Sequence, residues 1–239
     1  LGLGSNTLVR DGGIKGTVVI TQGALNQLKC LDPVTLYAEA GVASPALARF
    51  AARKNLTGAE FLAGIPGTIG GALAMNAGCS GCETWNIVKS VITLNRHGEK
   101  KTRFPSEYEI AYRQVSVFPD EYYLAAHFQL EPGAKEKSLA KIRSLLLHRA
   151  TTQPTNEPNC GSVFRNPAGD YAARLIESCG LKGLKVGDAS VSTKHANFII
   201  NEGRATAADI ESSIEKITDI IFQIHHIQLI REVRIIGII

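Results

Sequence analysis

Gly64-Ile65-Pro66-Gly67-Thr68-Ile69-Gly70-Gly71-Ala72-Leu73-Ala74-Met75-Asn76-Ala77-Gly78 places five glycines, a proline and an asparagine in fifteen residues. Glycine loses the most backbone entropy on folding, so this density is kept where the chain needs φ > 0 or where something lies close against bare backbone. Successive N–H groups in a tight turn form an anion nest, and a helix starting near Thr68 adds the positive end of its dipole. The segment reads as the phosphate cradle of a nucleotide cofactor. Its spacing, Gly-x-x-Gly-x-x-Gly-Gly, is neither the dinucleotide fingerprint Gly-x-Gly-x-x-Gly nor a P-loop, since no Gly-Lys-Ser/Thr follows. A different nucleotide-binding fold is implied. The competing reading is a glycine-rich turn that packs a helix tightly on a sheet.

A second glycine turn, Gly2-Leu3-Gly4-Ser5-Asn6, is followed by Leu8-Val9-Arg10-Asp11-Gly12-Gly13. Two such turns can grip one pyrophosphate from both sides. Together they resemble the FAD-binding lobe of the bacterial UDP-N-acetylenolpyruvoylglucosamine reductases, a family of peptidoglycan-precursor enzymes. Ala111-Tyr112-Arg113-Gln114, Gly161-Ser162-Val163-Phe164-Arg165-Asn166-Pro167 and Glu232-Val233-Arg234-Ile235-Ile236-Gly237 follow in the family's order, so the resemblance covers nearly the whole chain. It implies an α+β fold in two lobes, an FAD-binding fold of the vanillyl-alcohol-oxidase-like type followed by a C-terminal substrate-binding domain. It also implies FAD as cofactor, with Gly2, Gly4, Ser5, Asn6, Gly64, Gly67, Thr68, Gly70, Gly71, Asn76 and Gly78 as its contacts. The chain opens at Leu1 inside a motif that in the family follows a strand, so an N-terminal segment of several tens of residues is expected ahead of it.

Composition narrows the alternatives. With 26 Lys and Arg against 22 Asp and Glu, the formal charge of +4 carries no block of basic residues with interleaved aromatics, which argues against nucleic-acid binding. No run approaches 18 apolar residues and the first residues are not a charged-then-apolar signal segment, so neither membrane nor export is indicated; with the resemblance, a bacterial cytoplasmic monomer is expected. Cys30, Cys79, Cys82, Cys160 and Cys179 are odd in number and suit a reducing compartment. Cys79-Ser80-Gly81-Cys82 lacks a second pair or a His-x-x-x-His, and His225-His226 lies in an apolar helix tail, so no metal is assigned.

Period and punctuation give a coarse layout. Strands are expected at Thr17–Thr21, Val34–Ala40, Ile87–Asn95, Tyr122–Leu130, Asn197–Asn201 and Val233–Ile239. Ser44-Pro45 reads as an N-cap and first-turn proline of a helix to about Lys54. A helix over 135–150 carries Leu139, Ile142, Leu145 and Leu146 on one stripe, another runs from about Tyr171 to Gly180, and Thr206-x-x-Asp209 reads as a capping box. Glu131-Pro132-Gly133 is the expected boundary, giving an FAD domain over 1–133 and a substrate domain over 134–239, whose last strand, from about residue 230, returns toward the flavin lobe.

Ser162 lies in a loop beside glycine, outside any Gly-x-Ser-x-Gly elbow, so a hydrolase nucleophile is not supported. The resemblance makes it the general acid that protonates substrate carbon after hydride addition, which a serine hydroxyl can do only toward a strong base such as an enolate-like carbanion. Arg113 would hold the enolpyruvyl carboxylate, and Glu232, costly on an apolar strand unless paired, would polarise the same group. By the same resemblance Tyr112, Asn166, Lys194, His195 and Asn197 bind UDP-N-acetylglucosamine enolpyruvate, NADPH is the reductant, and Lys194-His195-Ala196-Asn197-Phe198 marks the form lacking an extra tyrosine-bearing loop. Two positions depart from the family: Arg231 stands before Glu232 in place of proline, and Ser80 stands in place of tyrosine. The rival readings are another FAD-linked oxidase of the same fold, which would consume oxygen, and a non-catalytic flavin or nucleotide-sugar binding module, which would leave NADPH untouched.

Overall fold

The computed structural model describes residues 1–239. They form two compact units, Leu1–Leu3 with Val19–His148, and Gly4–Val18 with Arg149–Ile239.

The first unit is built on a five-stranded antiparallel sheet in the order Leu28–Cys30, Thr35–Glu39, Glu121–Gln129, Val88–Asn95, Lys100–Arg103. Alternation points Leu36 and Ala38 to one face and Tyr37 to the other. On the apolar face α1 (Ser44–Arg53) and α2 (Ile69–Met75) bring Leu47, Ala48, Ala51, Ile69 and Leu73 against Leu36, Val91, Ala126 and Phe128. Full burial of Leu36 or Phe128 is worth about 1.5–3 kcal/mol each. Helix α3 (Lys135–Thr152) adds Ile142 and Leu139 to this core, and its Ser138 hydroxyl donates to the buried Glu60 carboxylate at 2.6 Å. Leu146, part of the expected stripe, is exposed instead.

The second unit carries a three-stranded antiparallel sheet, Lys185–Val186, Ala189–Val191 and Ile199–Asn201, under α4 (Ala172–Ser178) and α5 (Ala207–His225). Ile214, Ile217 and Ile221 recur at helical spacing on α5 and meet Leu175, Ile176, Val191 and Ile199. Beside them Thr7–Val9 pairs in parallel with Arg234–Ile236. The start of α5 is fully capped. Thr206 and Asp209 exchange the two bonds of the expected box, while the Asp11 carboxylate accepts from the N–H groups of Ala207 and Ala208 at 2.9 and 3.0 Å. Arg10 grips Glu211, one turn further on, through two bonds of 2.9 and 2.6 Å.

Three expectations are corrected here. Thr17–Thr21 is not a strand: Val18, Val19 and Ile20 are exposed, no sheet edge pairs with them, and the chain passes between units at Val18–Val19. Ser44 does not cap α1, because Ala43 is the capping residue and the buried Ser44 hydroxyl has no partner. The division into compact units does not fall at Gly133. Glu131–Pro132 is itself paired with Leu56–Thr57, α3 packs on the first core, and Thr7–Val9 joins the second unit through the closing strand and the burial of Leu8.

Candidate active site

In the first unit the glycine run divides into two kinds of position. A Cβ at Gly64 would lie 2.9 Å from Cys79 Sγ, at Gly70 3.0 Å from Ala40 Cβ, and at Gly78 2.5 Å from the Cys82 carbonyl and 2.9 Å from Arg113 Nη1. These three are glycine because protein lies against them, as the packing reading required. Gly67 differs in having φ = +110°, and Gly71 is exposed with its nearest neighbour 3.9 Å away. Helix α2 starts where expected, yet its leading amides are not an open anion nest: Ile69 and Gly70 donate to the carbonyls of Val42 and Ala40 at 2.8 and 2.9 Å. That neighbourhood instead offers Thr68, 3% exposed, whose Oγ1 has no partner and sits 2.3 Å from where a Gly2 Cβ would be. A buried hydroxyl with no protein partner, bordered by the bare Cα atoms of Gly2 and Gly71, fits an acceptor oxygen of a bound FAD.

Asn76 closes α2 in the left-handed conformation and is buried. Its Oδ1 accepts from Trp85 N–H, and its Nδ2 donates to Glu83 Oε2 at 2.7 Å and to the Ala111 carbonyl at 3.1 Å. Both ends of the amide are thus committed to protein, and Asn76 shapes the site rather than reaching into it. The next hairpin, Ile110–Ala111 with Gln114–Val115, presents Tyr112 and Arg113 at its tip. Arg113 has φ = +56°, its Nη2 donates to the Gly78 carbonyl at 2.8 Å, its Nη1 is 3.5 Å from Glu83 Oε1, and the guanidinium stands 4.7 Å from the Tyr112 ring. Cys79 and Cys82 pair across a two-residue turn whose central residues, Ser80 and Gly81, both have positive φ, the mark of a type I′ hairpin.

In the second unit three distant stretches are laced together by backbone. Glu232 N–H donates to the Val163 carbonyl at 2.8 Å, Phe164 bridges Arg231, Asn6 Nδ2 donates to the Glu232 carbonyl at 3.1 Å, and Arg234 N–H donates to the Asn6 carbonyl at 3.0 Å. Gly161, with φ = +79°, approaches the Ser5 carbonyl. Ser162, Glu232 and the Gly4-Ser5-Asn6 turn are therefore neighbours. Asn197 holds the loop rigid: its carbonyl accepts from Val163 N–H, its Oδ1 accepts from Phe164 N–H at 3.0 Å, and its Nδ2 donates to the Phe164 carbonyl at 2.8 Å. Burial pushes the adjacent Cys160 thiol up to about 11, so it stays protonated at neutral pH.

The expected diphosphate set has prior engagements. Asn197 is buried and used as above. Asn166 Oδ1 accepts from Ala172 N–H at the start of α4. Lys194 Nζ donates to the Ala150 carbonyl near the end of α3 at 2.6 Å, the place where a cation complements the helix dipole. His195 is half-buried edge-on to Phe198, its Nδ1 accepts from Asn197 N–H, and desolvation holds its pKa below the ordinary value, so the ring is neutral at pH 7. Of these four side chains Lys194 is the cationic one, and Lys182 also acts on His195.

Residues 153–236 match the family described as the C-terminal domain of UDP-N-acetylenolpyruvoylglucosamine reductase, and residues 1–102 match an FAD binding domain. The UDP-N-acetylenolpyruvoylglucosamine reductase of Legionella pneumophila (strain Corby) is 60% identical over 99% of this chain and 77% of its own length. The chain belongs to the UDP-N-acetylenolpyruvoylglucosamine reductase family. The reductase of Methylococcus capsulatus is 54% identical over 99% of the chain and 78% of its own length. A crystal structure of the Thermus caldophilus reductase superposes with a TM-score of 0.85 at 33% identity, covering 98% of this chain and 84% of that one. Within this family framework the sequence reading missed two groups of residues. Glu83 stands beside Arg113 with no local signal beyond a carboxylate seven residues after Asn76. Arg10 and Asp11 read in the sequence as part of a glycine turn, yet they clamp α5 from about 200 residues away.

Proposed function

We propose that this chain reduces UDP-N-acetylglucosamine enolpyruvate to UDP-N-acetylmuramate, a step of peptidoglycan precursor synthesis, as an FAD-dependent oxidoreductase that draws on NADPH. The observation that carries the reading is the backbone lacing of Ser162, Glu232 and the Gly4-Ser5-Asn6 turn in one unit. FAD, when bound, relays hydride from NADPH to the enolpyruvyl double bond. Thr68, Gly2 and Gly71 are the residues suited to hold it in the first unit, and Gly4, Ser5 and Asn6 in the second.

Each side chain then has one task. Hydride addition to the enolpyruvyl group pushes an electron pair onto the adjacent carbon and its carboxylate. Arg113, always charged and planar, binds that carboxylate and stabilises the charge as it grows. Ser162 gives its proton to the carbon, which is basic enough at that moment to take one from a hydroxyl. Glu232, its backbone pinned on both sides, orients the same group. Tyr112, exposed at the hairpin tip, is assigned to the sugar nucleotide, with Lys194 as the cation for its diphosphate. We place the reaction in the bacterial cytoplasm, where the five free thiols stay reduced, and assign it to a monomer, which sedimentation checks.

Ser162→Ala tests the assignment by separating the half-reactions. Flavin reduction by NADPH should remain near normal while reoxidation by the enolpyruvyl substrate slows ~10²–10⁴-fold, the usual contribution of general acid catalysis. Stopped-flow absorbance at the flavin bands reads both. Reoxidation at the wild-type rate would remove Ser162 from the mechanism, and loss of both steps would mean that the flavin site itself was disturbed.

A further inference from the structure

We infer that Glu83 is a positioning residue for Arg113, fixing the plane in which the guanidinium is offered to the substrate carboxylate; this rests on the role of Arg113 proposed above. Glu83 stands opposite Gly78 in the hairpin register. A Cβ on Gly78 would lie 3.0 Å from Glu83 Cγ and 2.9 Å from Arg113 Nη1, so the missing side chain at 78 is what lets the carboxylate and the guanidinium meet.

The carboxylate is itself held from two sides. Trp85 N–H occupies Asn76 Oδ1, which fixes the amide so that Nδ2 must face Glu83 Oε2, at 2.7 Å. Asn86 Oδ1 accepts from the Glu83 N–H at 2.8 Å, so the backbone is pinned as well. With Oε2 taken, Oε1 is turned to Arg113 Nη1 at 3.5 Å. That distance is long for a charge-assisted hydrogen bond, which runs at about 2.7–2.9 Å. Glu83 therefore steers the guanidinium electrostatically without occupying it in a tight bidentate pair that a substrate carboxylate would have to displace. Arg113 also sits at φ = +56°, a conformation that non-glycine residues keep only where surrounding contacts over-determine it. Glu83, the Gly78 carbonyl and the Tyr112 ring are those contacts.

The test uses Glu83→Gln, which keeps the shape and an acceptor for Asn76 but removes the charge, alone and combined with Arg113→Ala. The purified flavoprotein is examined by thermal melting, by flavin reduction with NADPH, and by reoxidation across a range of enolpyruvyl substrate concentrations. Glu83→Gln is expected to melt with the wild type, to reduce at the wild-type rate, and to lose about 10- to 100-fold in limiting reoxidation rate, the scale of a misplaced binding group. In the Arg113→Ala background the same change should cost nothing further. Wild-type reoxidation in Glu83→Gln, a loss that adds in full to that of Arg113→Ala, or a lowered melting point with both half-reactions slowed would each overturn the positioning role. Normal reoxidation by Arg113→Ala alone would instead strike the role of Arg113, and this inference would fall with it.

Discussion

Arg113 in the first unit and Ser162 in the second are held in opposite ways. The guanidinium has one short backbone anchor, the Gly78 carbonyl at 2.8 Å, and is otherwise set by side chains: Asn76 orients Glu83, Glu83 faces Nη1, and Tyr112 lies 4.7 Å from the guanidinium carbon. The hydroxyl depends on peptide groups, since Val163, Phe164, Arg231, Glu232 and Asn6 meet almost wholly through N–H and C=O. A site wired through side chains can be retuned by a single substitution, because each link is one residue's chemistry. A site wired through backbone tolerates side-chain change, except where a side chain imitates a peptide. Asn197, and Asn6 through its Nδ2 on the Glu232 carbonyl, are the exceptions.

The hardest way to break the contrast is Asn197→Ala. It strips partners from both the N–H and the C=O of the buried Phe164, and unsatisfied buried groups cost about 1–3 kcal/mol apiece, so a loss of about 2–5 kcal/mol in urea unfolding is expected. Asn197→Asp keeps the acceptor and loses the donor, and should fall between. A cost near zero for Asn197→Ala would mean that the loop is held elsewhere.

A finer test contrasts two adjacent glycines. Gly70→Ala drives a Cβ to 3.0 Å from Ala40 Cβ and 3.2 Å from its carbonyl, and overpacking of that kind costs about 1–3 kcal/mol. Gly71→Ala meets nothing closer than 3.9 Å and should raise the stability of the flavin-free protein by about 0.4–1 kcal/mol by restricting the unfolded chain. If FAD lies over that bare Cα, the same Gly71→Ala protein should purify with less flavin. Full flavin content together with higher stability would move the cofactor off Gly71.

The smallest effect is one of pH. Burial lowers the His195 pKa from its ordinary 6.5 in the folded chain. Well above 6.5 the ring is neutral folded and unfolded, and stability is complete; as pH falls through 6.5 the unfolded chain takes the proton first, so stability declines toward acid. His127 shifts the same way, so the comparison isolates one ring: His195→Gln should flatten, without abolishing, the loss measured by urea unfolding between about pH 7 and pH 5.5. An unchanged slope would place the protonation cost elsewhere.

Much of this was legible in the sequence where the cause was local. The capping box at Thr206 and Asp209 needs only its own four residues, the Ser162 loop announces itself by Gly161, and the sheet strands alternate as strands must. What escaped was set by distant partners. Val18, Val19 and Ile20 have strand-forming side chains but no neighbouring strand to pair with, and β propensity is realised only against one. Three glycines in the opening run are glycine because Ala40, Cys79 and Arg113 press on them from elsewhere in the chain. Asn76 and Asn197 look alike in sequence to ligand-binding amides, and only their bonding partners, which take both ends of each amide, show how they brace the chain.

The pairing of Thr7–Val9 with Arg234–Ile236 sets a schedule for synthesis. At about 5–20 residues per second, roughly 10–45 s separate the two strands as they leave a ribosome. Through that interval Thr7–Val9 is an unpaired edge, and Asp11 has no helix to cap until Ala207 and Ala208 follow, 196 and 197 residues after it, while the contiguous stretch from Val19 to His148 is already available to fold. Translation that halts before residue 234 leaves the second unit without its closing strand, and in such a chain Asn197 still braces the Ser162 loop while the Gly4-Ser5-Asn6 turn lacks the bond from Arg234.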